Sequence, residues 1–104
     1  MLWYLVHPYS NDPDKNFKLA NKRTLALLNA GYNVFSPITY SHLLQQTEQH
    51  NYDFWMSFDE IILDKCDGLI LAPNWHKSKG CIRELERAIR LNLPILDYKN
   101  LDLK

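Results

Sequence analysis

Short apolar runs recur along this chain at intervals too long for hairpins, and the segments between them carry apolar residues at helical spacing. Leu2-Trp-Tyr-Leu-Val6 has the continuous apolar character of a strand buried on both faces. Asn33 to Ser36, Gly68 to Ala72 and Pro94 to Tyr98 read as three more strands. Strands joined by long helical crossovers run parallel, because antiparallel neighbours need only a tight turn. The alternation therefore predicts a parallel sheet with right-handed crossovers and helices on both faces.

The helices have their own punctuation. Asp12 suits an N-cap and Pro13 the first helical position, after which Phe17, Ala20, Thr24, Leu27 and Leu28 recur on one face. Gly31 closes that helix as its C-cap. Tyr52 to Cys66 and Ser78 to Asn92 read as the second and third helices. Ile38 to Asn51 carries no clear period and is long for a loop, so it reads as functional or partly helical. The order is β-α-β-α-β-α-β. The expected fold is a three-layer α/β/α sandwich with a flavodoxin-like parallel sheet of four strands in order 2-1-3-4, a fifth strand being left open. With 104 residues and no repeat or linker, residues 1–104 are expected to form one domain.

Composition narrows the function. Twelve basic side chains balance twelve acidic ones, so no global field exists to hold a nucleic-acid polymer. No apolar run approaches the roughly 20 residues of a membrane span, and the first six residues lack the marks of a signal peptide. Cys66 and Cys81 are too few for a disulfide framework and are expected to be small core residues. Histidines 7, 42, 50 and 76 have no metal-ligand spacing, so neither metal nor cofactor is expected. A cytoplasmic protein is the expectation.

In such sheets ligands sit at the carboxyl ends of the strands, beside the switch point between the first and third. That rule points to His7, Pro8, Tyr9 and Ser10, to Ser36 and Pro37, to Pro73 through Ser78, and to the start of the third helix. Two carboxylates lie close to this region. On the second helix, Asp59 falls in the middle of the stripe formed by Tyr52, Trp55, Met56, Ile62, Leu63 and Cys66. A carboxylate there is costly unless it is paired, hydrogen-bonded or at the edge of a polar pocket. It is either a general acid or orienter in a cleft, or a buried group that caps a loop. On the third helix the expected apolar face is Cys81, Ile82, Leu85, Ala88 and Ile89, with Arg83, Arg87 and Arg90 opposite. Glu84 sits on the flank, leaning over Gly80, where no side chain blocks a ligand. The alternative is a surface glutamate paired with Arg83 or Arg87.

Ser78-Lys-Gly-Cys-Ile-Arg-Glu84, followed by Ala88 and Pro94, resembles the nucleoside 2-deoxyribosyltransferase superfamily. More narrowly, the chain is similar to the short proteins of the DUF1937 type. The shared features are Tyr4-Leu-x-x-Pro-Tyr-Ser10, Phe35-Ser-Pro37, Ser41-His42, Trp55-x-x-x-Asp59, Cys66-Asp67 and Trp75-x-x-Ser-x-Gly80. The resemblance implies N-glycosidic chemistry in which Glu84 attacks the anomeric carbon, Asp59 helps protonate the departing base and Tyr4 steadies the nucleophile. It places Ser78 at a 5′-phosphate site, as a serine at a helix N-terminus suits an anion. A nucleoside 5′-monophosphate is thus the expected substrate, with water or a second base as acceptor. His42 and Trp75 are expected ligand contacts.

Two other readings stay open. The segment from Asn74 to Leu85 also resembles TIR domains, some of which cleave NAD through a glutamate. A domain that binds or sequesters a nucleotide without turnover is the non-enzymatic alternative. Phe54, Phe58 and Ile61 cluster away from the core stripe of the second helix and predict a homodimer or larger assembly.

Overall fold

Four strands, β1 (Leu2–Val6), β2 (Asn33–Phe35), β3 (Gly68–Leu71) and β4 (Ile95–Asp97), form one parallel sheet in the order β2-β1-β3-β4. The structure is a computed structural model and describes residues 1–103. The order matches the expected 2-1-3-4 arrangement, and no fifth strand occurs among the described residues. Beyond β4 the chain makes a short 3-10 turn, Tyr98–Asn100, and its apolar residues Leu101 and Leu103 pack back against the sheet.

Strand alternation sends side chains to opposite faces. Tyr4, Val6, Leu69 and Leu71 face one way and pack with Leu63, Cys66, Cys81 and Ala88. Leu5, Ile70 and Ala72 face the other way and meet Leu27. The first face is covered by α3 (Tyr52–Lys65) and α4 (Lys79–Arg90), the second by α1 (Pro13–Asn29) and the C-terminal tail. Both cysteines lie in the first layer as free thiols, and burial pushes them up to about 11 and about 12, which keeps them protonated.

The segment without a clear period is resolved by α2 (Pro37–Thr47), so two helices join β2 to β3. Ser36 ends the strand early and caps α2, its hydroxyl accepting from the Thr39 amide at 3.4 Å, with Pro37 at the first position. This repeats the arrangement at α1, where Asp12 accepts from the Lys15 amide ahead of Pro13. Asn51 and Ser78 cap α3 and α4 in the same way.

Helix α4 is turned from its expected orientation. Ile82 and Ile89 are exposed, and the buried face is Cys81, Glu84 and Ala88. The cause lies on the neighbouring helix. Arg83 donates to Glu60 at 2.8 Å and Arg87 to Asp64 at 2.6 Å, so both arginines point at α3 rather than at open solvent. With that side held, Glu84 rotates inward.

Candidate functional site

A cavity of about 210 Å³ opens beside the carboxyl end of β1, between α2, α3 and α4. The β1–α1 loop contributes His7, Tyr9 and Ser10, and α2 contributes Pro37, Ile38, Ser41 and Gln45. Tyr52, Trp55, Met56 and Asp59 line it from α3, Glu84 from α4, and His50 from the connection between α2 and α3. Both sequence-predicted carboxylates therefore meet in one cavity.

Glu84 is buried, and Tyr4 from the central strand donates its hydroxyl proton to the Glu84 carboxylate. Burial pushes Glu84 up to about 8, while the Tyr4 hydrogen bond works in the opposite direction. Asp59 is raised to about 7, again by burial first and then by the charge of Glu60. Desolvation also raises Tyr4, with the Glu84 charge adding to it, so Tyr4 stays protonated as a donor. The charge of Asp59 adds to the rise of Glu84. Which of the two carboxyls ionises more readily follows from hydrogen bonding. Tyr4 stabilises charge on Glu84, whereas Asp59 Oδ1 is buried with no partner and gains least from ionising.

The arginines beside Glu84 do not pair with it. Arg83 is engaged by Glu60 and Asp53, and Arg87 by Asp64 and Glu60, which removes the alternative of a surface Glu84 ion pair. A second buried polar atom without a partner, Tyr52 Oη, lies on the same cavity wall as Asp59.

His7 is buried and held neutral. Arg23 can only donate, so its 2.7 Å contact makes Nε2 of His7 an acceptor and leaves the proton on Nδ1, which donates to Pro8 O at 2.8 Å. Desolvation lowers His7 to about 4, consistent with that tautomer.

Several expected contacts stand elsewhere. His42 is buried against Phe17, ring centroids 4.3 Å apart, and joins Tyr9 at 2.7 Å to Asp14 at 3.1 Å, so it supports the cavity wall from behind. Ser36 and Ser78 cap helices, Trp75 packs against the core, and Pro8 faces a different cleft. Above Gly80 the space foreseen for a ligand is filled: a methyl there would touch Met56 Sδ at 3.5 Å and Tyr52 at 3.8 Å. The residues not foreseen as ligand contacts are Leu5, Ile38, Ser41, Gln45, His50, Tyr52, Trp55 and Met56. Gln45 organises much of that wall. Its Oε1 accepts from Trp55 Nε1 at 2.5 Å and from the His50 amide at 2.9 Å, and its Nε2 donates to His50 O at 3.0 Å.

No helix among the described residues is long and apolar enough to cross a membrane. No curated protein matches the sequence at a significant level. Among solved structures the fold is similar to the 2-deoxyribosyltransferase from the psychrotolerant bacterium Bacillus psychrosaccharolyticus. That likeness has a TM-score of 0.69 and 22% identity, over 93% of this chain and 71% of that one. At this identity it is a likeness of fold. The family model described as a domain of unknown function, DUF1937, matches residues 2–100, and the chain belongs to that family.

Proposed function

We propose that this chain is an N-glycosidase of nucleoside 5′-monophosphates, acting as one deoxyribosyltransferase-like domain over residues 1–104. The observation that carries the reading is the cavity in which Tyr4 donates to Glu84 and Asp59 stands nearby with an unpartnered oxygen. The Glu84 carboxylate attacks the anomeric carbon as the bond to the base breaks, and protonated Asp59 gives its proton to the departing base. Water or a second base then displaces Glu84, with Asp59 taking up the proton of an incoming water. The fold of a 2-deoxyribosyltransferase supports this class of chemistry.

The preference for a 5′-phosphate draws on Ser78 at the N-terminus of α4, where an anion is favoured by free amides and the helix dipole. That end of α4 adjoins the cavity wall through Gly80, Tyr52 and Met56. Two buried free thiols and a nucleotide substrate fit a cytoplasmic setting.

Binding without turnover is the second reading, favoured by the raised Glu84, since a protonated carboxyl donates rather than attacks. Chromatography for free base separates the two readings. Wild type and Glu84→Gln are incubated with deoxyribonucleoside and ribonucleoside 5′-monophosphates, the matching nucleosides and NAD. Base release by wild type alone is expected, and no release from a folded protein that binds the monophosphate equally in both forms would establish a binder.

Self-association completes the reading. Phe54, Phe58 and Ile61 are 48%, 42% and 58% exposed along one side of α3, and Tyr40 and Leu44 of α2 add further exposed apolar surface. Tyr40 packs on Phe58 at 5.9 Å, so the two helices present one continuous patch beside the cavity, and a second copy is its proposed occupant.

A further inference from the structure

A second cleft of about 270 Å³ lies behind the wall of the first. One loop separates them: His7, Tyr9 and Ser10 line the main cavity, while Pro8, Asn11 and Asp12 line the second. Arg23 and Lys15 of α1 complete its floor, and Pro73 and Asn74 close it from the end of β3. Asn74 adopts the left-handed conformation, φ 65°, which turns the chain over the opening.

The charges of this cleft are unbalanced. Arg83 and Arg87 each hold two carboxylates, but among the described residues half-buried Arg23 holds none. Its partners are the neutral imidazole of His7 and the ring face of Tyr98 at 5.9 Å. Lys15 has no carboxylate partner among the described residues either, and the Asp12 side chain turns back to cap the Lys15 amide. A guanidinium has five N–H donors, and the one on His7 leaves most of the fork open. Half-burying a cation without a counter-ion is unfavourable, and the chemistry that answers it is a bidentate oxyanion.

We propose that this cleft is an oxyanion site of the phosphate class, built on Arg23 and Lys15, and coupled to the main cavity through the Arg23–His7 hydrogen bond. An anion that fixes Arg23 also fixes His7, so the two sites influence each other's affinity reciprocally. The site stands apart from the glycosidase reading because it concerns equilibrium binding alone.

Titration calorimetry with inorganic phosphate at physiological salt, paired with nitrogen NMR of the His7 imidazole, tests this. Saturable binding that shifts the His7 signal is expected, weakened about tenfold or more by Lys15→Gln or Arg23→Gln. Lys15 is exposed, so its variant keeps the test sound if Arg23→Gln folds poorly. Absence of binding, binding that leaves the His7 signal in place, or binding that survives both variants would overturn the proposal. Titration of Glu84→Gln with a nucleoside 5′-monophosphate identifies the anion's source. Competition with phosphate assigns the cleft to the substrate's own phosphate, and additive binding assigns it to a separate anion.

Discussion

The hydroxyl of Tyr4, in the middle of the central strand, donates to the carboxylate of Glu84, 80 residues further along the chain. The contact places a fully buried donor beside the buried carboxylate that lines the cavity from α4. It favours the charged form of Glu84 against the burial that opposes it.

Tyr4→Phe removes that donor while keeping the ring. Activity is expected to fall about 10- to 100-fold, the usual range for losing a hydrogen bond to a charged group. The acidic limb of the pH–rate profile should move upward, because Glu84 then ionises less readily. A profile that keeps its position would remove Tyr4 from the mechanism.

Stability should depend on pH in two opposing ways. Glu84 and Asp59 are raised from ordinary values of 4.5 and 3.8 to about 8 and about 7, so the folded chain holds their protons more tightly. Their contribution is complete below pH 4 and is lost as pH rises through 7 and 8. His7 is lowered from 6.5 to about 4, so its contribution is present above pH 6.5 and is lost as pH falls through 4. Between those limits the slopes oppose, and above pH 7 only the carboxyl term remains. Urea midpoints measured from pH 5 to 9 should decline on the alkaline side, and Glu84→Gln should flatten that decline.

Gly68→Ala should destabilise the sheet by about 1–3 kcal/mol, as overpacking does. Trp3 and Gly68 are register partners on β1 and β3, and a methyl at Gly68 would collide with the Trp3 ring. Adding Trp3→Leu should restore part of the loss, and a double-mutant cycle by denaturation would show the coupling. Strict additivity would count against the collision.

Gln45→Ala should raise KM about fivefold with little change in kcat, since it frees His50 and Trp55 without touching Glu84 or Asp59. An equal fall in kcat would give Gln45 a part in the chemistry.

Phe58→Asp should convert an assembly into monomers in light scattering. A monomeric wild type would dispose of the self-association reading.

Strands β1 and β3 were legible because each is a short apolar run of the length that burial requires, β2 and β4 from their places between helical segments, and Asp59 stood out because it interrupts an apolar stripe. Helix α2 was not, since its buried face includes His42 while Tyr40, Leu43 and Leu44 point outward, which erases the period. Its Ser36-Pro37 start carried the same signature as Asp12-Pro13 and was the available signal. Glu84 was found, but its depth was not, because Ile82 and Ile89 define the apolar side of α4 and the ion pairs to α3 override them. Four cavity-lining residues, Ile38, Ser41, Gln45 and His50, lay in the segment whose pattern was silent.

That division separates two parts of the pocket. Tyr4, Asp59 and Glu84 belong to the sheet and to two helices clamped together by arginines, whereas Pro37, Ile38, Ser41, Gln45 and His50 come from a single contiguous stretch. Reactive groups and shape-determining groups are thus carried largely by different parts of the chain. Replacing residues 37–50 by another sequence of the same length would reshape the pocket while leaving Tyr4, Asp59 and Glu84 in place.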